Sequence, residues 1–481
     1  MDQISYRGRG DKPTEMNNDE GLNFSVNNRF RFKPEKKNIK KSIFLKFNWK
    51  LILITLVAWV FIINHYERRV VSQAMNRCAW SNWENWDNVN NEPHRIALLA
   101  DPQIMDEYSY PGRPWLINWI TQKILDNYHK RNWNFIQNKL DPDSTIFLGD
   151  LFDGGRNWDD EDWIQEYKRF NSIYYKKPNR KTIMTLPGNH DIGFGDTVNI
   201  TSLERFKTFF GDTSSIHQLG NHTIVLLDTI SLSDSIAPEV RKHPQQVLDS
   251  LSEYDPNENP RILLSHVPLY RFPEQQPCGP LRESNKPFPV MKGNQYQTVI
   301  DYEISQDILT KIRPKIAFSG DDHDYCHVSH EYNHPVGGKA KADEITVKSC
   351  SMNMGISKPA FQLLSLNNPK GTTSSETYKT NICFLPLPFR SLKAYITMGI
   401  LNLILYLIIF LLPQKWALVT NKFKALVADS EAKFQLPIAT EITPSYQPVL
   451  VLEKDILGFF INGVIIIIGV LSLFSVYYNA F

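Results

Sequence analysis

Gly149-Asp150-Leu151-Phe152-Asp153-Gly154-Gly155-Arg156 follows directly on the apolar run Thr145–Leu148, and the same arrangement recurs along the chain. Asp101-Pro102-Gln103 follows Ile96–Ala100, and Gly188-Asn189-His190-Asp191 follows Thr182–Leu186. His266 follows Arg261–Ser265, and Gly320-Asp321-Asp322-His323 follows Lys315–Ser319. Short β-rich runs bounded by Gly or Pro read as buried strands. In layered α/β proteins the functional groups gather at the sheet edge where strands give way to loops. Five such strand ends therefore deliver Asp101, Gln103, Asp150, Asn189, His266, Asp321 and His323 to one place. That is a donor set for two hard-to-borderline divalent metal ions.

Taken singly, each cluster has an ordinary explanation. An Asp at a strand end caps a turn, Gly-Asn-His-Asp is a common Asx-rich loop, and a lone His is more often a satisfied histidine than a ligand. Taken together they have none, because structure alone does not call for so many acids and histidines at the same end of successive strands. The expectation is a dinuclear metal site.

The order Asp-x, Gly-Asp-x-x-Asp, Gly-Asn-His-Asp, His, Gly-x-x-His resembles the calcineurin-like metallophosphoesterases. Asp101-Pro102-Gln103, Tyr110-Pro111-Gly112-Arg113-Pro114 and Gly320-Asp321-Asp322-His323-Asp324-Tyr325-Cys326 resemble one branch of that family. It is the fungal cell-division-control branch, endoplasmic-reticulum enzymes that remove ethanolamine phosphate from mannoses of GPI anchors. The resemblance covers about residues 90–366. It implies a metal-dependent phosphodiesterase whose substrate is a GPI-anchored protein or GPI glycolipid, with the first mannose as target. It also implies roles for individual residues. Asp101, Gln103, Asp150 and His323 would hold one metal, and Asp150 would bridge to a second held also by Asn189, His266 and Asp321. Gln103 and Asp321 stand where the wider family has histidine. Oxygen in place of imidazole hardens the site and favours Mn²⁺ (or Mg²⁺) over Zn²⁺ or iron. His190 would protonate the leaving group or stabilise the phosphoryl oxygens; its bland alternative is a structural histidine beside Asp191. Asp153 would orient His190 or cap the next helix, and Arg156 would touch the phosphate or serve the surface.

The chain of 481 residues exceeds one ordinary domain, and a formal net charge of +2 singles out no partner. The charge is uneven. Arg29, Arg31, Lys33, Lys36, Lys37, Lys40, Lys41, Lys46 and Lys50 crowd before an apolar stretch, with Glu35 the only acid among them. Such a run can bind nucleic acid, but its place before a hydrophobic segment reads as a topogenic signal, and no nucleic-acid partner is expected. The segment Leu45–Tyr66 lacks a small-residue cleavage site and reads as an uncleaved signal anchor. Leu392–Leu412 and Ile456–Tyr478 are two further spans of about 20 residues, with Asn402, Asn462, Gly458 and Gly463 expected at helix contacts.

The expected organisation is a cytosolic, disordered basic tail over 1–42, a signal anchor over 43–66, and a lumenal catalytic domain over 67–390. A membrane helix over 391–412, a cytosolic loop over 413–455 and a last membrane helix over 456–478 follow. The compartment is the endoplasmic-reticulum membrane. Asn199-Ile-Thr201 and Asn221-His-Thr223 are glycosylation sequons in the lumenal part. All five cysteines fall there too, where disulfides are permitted. A pair among Cys278, Cys326 and Cys350 is expected, and the odd count leaves one thiol over.

Within 67–390 the pattern is α/β. Helices are expected over Trp115–Leu140, Trp158–Tyr175 and Leu203–Phe210, the last capped by Thr201 or Ser202. Further strands are expected over His222–Thr229, Ile345–Cys350 and Phe361–Leu366. The architecture is a two-sheet αββα sandwich. Residues 270–299 form a long loop over the site, and 367–380 are polar and disordered. Two rival functions remain open: a lumenal phosphomonoesterase acting on lipid or nucleotide, and a non-catalytic trafficking factor for GPI-anchored proteins. The trafficking factor would be marked by broken ligand positions, and none is broken here.

Overall fold

Along the first strand Ile96 and Leu98 belong to one buried cluster and Ala97 and Leu99 to another, so both of its faces are covered. Continuous apolar runs of this kind are the mark of sheets packed on both sides. In the computed structural model, which describes residues 47–86, 92–255, 258–369, 376–418 and 454–479, this pattern builds two sheets. The strands are β1 (His94–Leu99), β2 (Ser144–Phe147), β3 (Lys181–Ile183), β4 (Ser215–Leu219), β5 (His222–Leu226), β6 (Arg261–Leu264), β7 (Lys292–Gly293), β8 (Tyr296–Gln297), β9 (Ile316–Ser319), β10 (Cys326–Asn333), β11 (Lys339–Thr346), β12 (Ala360–Leu366) and β13 (Tyr378–Phe384). One sheet has the order β13-β12-β1-β2-β3 and the other β10-β11-β9-β6-β5-β4. The pairs β1–β2–β3 and β5–β6–β9–β11 are parallel.

Ile96, Leu98 and Ile146 of the first sheet pack with Ile224, Ile262, Leu264 and Phe318 of the second in one buried cluster, which forms the layer between the sheets. The opposite faces, Ala97, Leu99 and Phe147 on one side and Val225, Leu263 and Ala317 on the other, join a cluster with Trp133, Phe170, Leu248 and Ile308 from the helices. The result is the expected αββα layering. The helices are α1 (Trp49–Arg77), α2 (Trp115–Phe135), α3 (Asp160–Ile173), α4 (Ile200–Phe210), α5 (Pro238–Ser250), α6 (Tyr302–Ile312), α7 (Pro388–Leu411) and α8 (Ile456–Asn479).

Several sequence expectations shift. Helix α2 gives way to a π turn at Ile136–Leu140. Helix α4 is capped by Asn199, whose side chain accepts from Ser202 N–H, rather than by Thr201 or Ser202. The strand expected over Ile345–Cys350 ends at Thr346; beyond it Val347 N–H donates to Ser319 O and Cys350 N–H to Ala100 O, linking the two sheets. β13 begins inside the stretch 367–380 expected to be disordered. It is an edge strand beside β12, and its half-exposed Lys379, Thr380 and Asn381 give little apolar signal. The expected tail 1–42 and most of the loop 413–455 lie outside the described residues.

α1, α7 and α8, of 29, 24 and 24 residues, are long and apolar enough to cross a membrane. α1 runs past the expected Tyr66 through a π turn at His65–Arg69. Asn402 accepts from Trp59 Nε1 (3.0 Å) and Asn462 from Asn48 N–H (3.0 Å), so both amides tie helices together as expected. Gly463 faces Trp59 and Asn402 across a cavity, where a Cβ would meet nothing within 4 Å, and at Gly458 the nearest atoms are those of the Asp455 carboxylate. Gly469 makes the close approach instead, to Leu56.

Buried Glu67 fastens this bundle to the sandwich. One of its oxygens accepts from Asn127 Nδ2 and pairs with Arg131, each at 2.7 Å, and the other accepts from Tyr395 OH at 2.7 Å. A disulfide, Cys78–Cys383, joins the chain just after α1 to β13. It was not foreseen, because 305 residues separate its halves. Cys278–Cys326 is the pair within the expected trio, and Cys350 is the buried thiol left over.

Deep in the second sheet, Arg271 pairs with Glu344 (2.8 Å), and His330 Nε2 lies 2.7 Å from the same oxygen. Burial disfavours the Glu344 carboxylate, yet Arg271 and His330 hold its pKa down at about 2. The contribution of this cluster is complete above about pH 4.5, the carboxyl's ordinary value, and is lost as pH falls from there through about 2. Arg271→Met should destabilise the domain by roughly 3–5 kcal/mol by leaving a buried charge unpaired. Denaturant unfolding at neutral pH checks it, and a change below about 1 kcal/mol would show that the pair contributes little.

Candidate metal centre

Parallel strands end on the same side, so the loops after β1, β2, β3, β6 and β9 open onto one edge of the sandwich. The structure brings Asp101, Gln103, Asp150, Asn189, His266, Asp321 and His323 together there. Asp101, Asp150, Asn189 and His266 are at most 4 % exposed, and Gln103 is 5 % exposed. His266 donates Nδ1–H to Leu148 O at 2.7 Å, since a carbonyl can only accept, and this leaves the Nε2 lone pair facing inward. Around that nitrogen stand Asn189 Oδ1 at 3.4 Å, Asp150 Oδ1 at 3.5 Å and Asp321 Oδ1 at 3.6 Å.

The other donors flank Asp150. Gln103 N–H donates to Asp150 O at 2.8 Å, and Gln103 Nε2 donates to Asp153 Oδ1 at 2.8 Å, which turns Oε1 the other way. Asp321 N–H donates to Asp101 Oδ1 at 3.0 Å. His323 lies within electrostatic range of Asp150 and Asp321. Ser349, which sequence reasoning missed, ties two of the loops: its Oγ donates to Asp101 O and its N–H to His323 O, both at 2.9 Å.

The backbone is held in uncommon conformations here. Asp101, Gln103, Asp150, Asp321 and His323 all have φ between 38° and 66°, the left-handed region that side-chain-bearing residues rarely enter. Each costs of order 1–3 kcal/mol and persists only where the surroundings impose it. Glycines allow the loops to close on one another. A Cβ on Gly188 would stand 2.0 Å from Asp150 Oδ1, and one on Gly149 (φ +93°) 2.5 Å from His266 Nδ1.

Two observations test whether a metal fits. Asp101 Oδ2 and Gln103 Oε1 are buried with no hydrogen-bond partner, although buried polar atoms are normally satisfied. Donor atoms of Asp101, Asp150 and His266 lie within 4.8 Å of one another. The electrostatics agree. Burial lifts the Asp101 pKa well above the carboxylate range. Burial opposes charge on His266, but Asp150, Asp321 and Asp101 push its pKa up to about 10. Carboxylates that raise the pKa of a buried imidazole leave the space short of positive charge, and divalent cations would supply it. The residues fit.

His190 and Asp191 divide the work of their loop. Asp191 accepts N–H bonds from Leu151, Phe152 and Gly188, stapling two loops, and its carboxyl makes none with His190. His190 Nδ1 lies 2.6 Å from Asp153 O and 3.3 Å from Asp153 Oδ1, so it donates there and leaves Nε2 for the cleft that it lines. Burial works against its charge, but Asp150 and Asp153 raise its pKa to about 9. Arg156 donates from Nη1 to Asn189 O at 2.9 Å, bracing the loop while still lining the cleft. Asn199 and Asn221 are both exposed, but Asn199 Nδ2 donates to Arg156 O and Asn221 Nδ2 to Asn368 O.

The segment 270–299 lies over this edge as expected. Arg282 pairs with Asp322, Lys348 bridges Glu283 and Asp324, and Cys278–Cys326 closes the base. At the tip of its small β7–β8 hairpin, Gln295 O accepts from Asn189 Nδ2 at 3.3 Å. The adjoining cleft, of about 600 Å³, is walled by Asp106, Tyr108, Trp158, Asp159 and Asp162 beside His190 and Arg156. Sequence reasoning passed over these residues because Asp159 also reads as a helix cap, which it is, accepting from Asp162 N–H at 2.9 Å.

Residues 94–325 match the model of the calcineurin-like phosphoesterase family. The chain is 49 % identical to "Cell division control protein 1" of Saccharomyces cerevisiae over 454 residues, 90 % of this chain and 92 % of that protein. It is 25 % identical to "Metallophosphoesterase 1" of Xenopus laevis, over 68 % of this chain and 81 % of that one. For the Gallus gallus protein of the same name the identity is 26 %, over 69 % and 83 %. The chain belongs to the calcineurin-like phosphoesterase family and is a metal-dependent phosphoesterase.

Proposed function

We propose that this enzyme is a Mn²⁺-dependent phosphodiesterase of the early secretory pathway that removes ethanolamine phosphate from a mannose of GPI anchors. The observation that carries the substrate reading is the cleft beside His190. Its wall combines the carboxylates of Asp106, Asp159 and Asp162 with the rings of Tyr108 and Trp158, the chemistry that receives an ammonium group. A phosphodiester whose small alcohol carries an ammonium places that charge in the acidic cleft and its phosphorus at the donor cluster. The two disulfides, Cys78–Cys383 and Cys278–Cys326, agree with an oxidising lumen for residues 67–390 and a bundle anchored in the endoplasmic-reticulum membrane.

In this reading Asp101, Gln103, Asp150 and His323 would hold one cation, and Asp150, Asn189, His266 and Asp321 would hold the other. Divalent cations held there would polarise the phosphoryl oxygens and supply an activated water. The chain's own residues do the rest. Leu148 O fixes the His266 tautomer, and Gln103 and Asp321 present hard oxygens. His190, oriented by Asp153, gives its proton to the departing mannose oxygen. Arg156 steadies the loop and the phosphate. GPI glycans from cells lacking the protein should retain ethanolamine phosphate on one mannose by mass spectrometry, and unchanged glycans would exclude this substrate.

The ammonium reading has a kinetic signature. Asp159→Asn with Asp162→Asn should raise KM for an ethanolamine-bearing diester by about tenfold, or 1.4 kcal/mol, while leaving a diester of a neutral alcohol unchanged. Equal effects on both substrates would remove the cleft from recognition.

Asp150→Asn should lower metal content from two ions to one or none with the fold intact. Elemental analysis alongside circular dichroism checks this, and two retained ions would sink the bridging role. His190→Ala should keep both ions and lower turnover by roughly 10²–10⁴-fold on an alkyl diester, with a smaller loss for a nitrophenyl ester whose leaving group needs no proton. Equal losses would make His190 a phosphate-stabilising residue instead. Mn²⁺ should reactivate the metal-free enzyme better than Zn²⁺, and the double change of Gln103 and Asp321 to His should reverse that order. A Zn²⁺ preference in the unmodified enzyme would contradict the role given to the two oxygen donors.

A further inference from the structure

Helix α2 begins with an exposed apolar surface. Trp115, Leu116, Ile117, Trp119 and Ile120 are between 44 % and 77 % exposed, more contiguous apolar surface than a helix facing water ordinarily carries. The surface is continuous with the membrane helices. Trp119, Ile120 and Ile124 of α2, Leu392 of α7, and Leu471 and Phe474 of α8 line a cavity of about 470 Å³, within the roughly 300–1,000 Å³ range of small-molecule sites. Its polar end is the Glu67–Arg131–Asn127–Tyr395 cluster, and Lys123 stands exposed on its lining. Two of its walls are helices long and apolar enough to cross a membrane, and in a bilayer such walls would open toward lipid.

The same helix touches the catalytic edge with its other face. Asn118 Nδ2 donates to Glu107 O (3.2 Å) and Gln122 Nε2 to Met105 O (3.3 Å), in the loop that carries Asp101 and Gln103. The apolar cavity and the cleft wall are thus separated by one helix, about 10 Å across.

We propose that this cavity is a lipid-chain site. It takes one hydrocarbon chain of a membrane-embedded, phosphodiester-bearing glycolipid while the start of α2, with Trp115 and Trp119, lies in the bilayer interface where tryptophan is favoured. The chain is held on one side of α2, and the head group reaches around it to the donor cluster on the other. The identity of the head group rests on the function proposed above; occupation of the cavity by a chain does not.

The test uses the full-length protein in phosphatidylcholine nanodiscs containing a small fraction of phosphatidylinositol with a diazirine in its acyl chain. After photolysis, peptide mass spectrometry should find the label on Trp119–Ile124 and Leu471–Phe474. Filling the cavity with Ile120→Trp and Leu471→Trp, both exposed positions, should reduce that label several-fold. The same variant should raise KM for a lipid-linked phosphodiester about tenfold and leave turnover of a soluble diester unchanged, which also certifies that it is folded. Label confined to outward positions of α8 such as Ile467 and Ile468, or insensitive to the filling variant, would overturn the proposal. An unmodified enzyme that cleaves no phosphodiester at all would defeat the function proposed above, while the labelling would still decide the cavity.

Discussion

Three buried or nearly buried carboxylates, Asp101, Asp150 and Asp321, crowd around the His266 imidazole, and most of the architecture at that edge follows from the charge they leave uncompensated. Burial disfavours the charged form of Asp101, and cations in that space would restore it. Among the described residues no Lys or Arg ion-pairs with these carboxylates: Arg156 is turned to the Asn189 carbonyl, and Lys348 is spent on Glu283 and Asp324. The orphaned oxygens of Asp101 and Gln103 point to the same deficit. Reading the centre as a cation site therefore does not depend on family membership, which arrives at the same place independently.

Holding these donors together demands a backbone that would not arise by default. Five residues of the cluster sit at positive φ, and Gly149 and Gly188 pass within van der Waals limits of His266 and Asp150 only because they lack a Cβ. Strain of this kind is sustained by the surroundings. The parallel sheets hold the strand ends, Asp191 staples the β2 and β3 loops, Ser349 joins the β1 and β9 loops, and a disulfide with two ion-pair clusters clamps the covering segment. The site is thus preorganised by elements outside the donor cluster itself.

Much of this was legible in the sequence, for a physical reason. Buried strands must be apolar, so an Asp or His immediately after Ile96–Ala100 or Thr145–Leu148 stands out, and the residues that gather at this edge could be named without coordinates. Edge and hairpin elements lacked that contrast. β13, with Lys379, Thr380 and Asn381, resembled a polar linker, and β4 was overlooked because its exposed residues break the pattern. Long-range partners were invisible as well. Nothing local to Cys78 announces Cys383, and nothing local to Glu67 announces Arg131 and Tyr395. The cleft carboxylates were hidden by double duty, Asp159 being a helix cap and a cleft wall at once.

The junction at Glu67 fixes the catalytic edge relative to the three long apolar helices, and α2 carries that relation from the bundle to the Asp101 loop. The account stands or falls on what occupies the edge. Anomalous X-ray scattering from crystals of the Mn²⁺-loaded protein addresses it most directly. The account predicts two peaks roughly 3.5–4 Å apart, sharing Asp150, one beside Gln103 and His323 and the other beside Asn189 and His266. A single peak, or peaks away from Asp150, would contradict it.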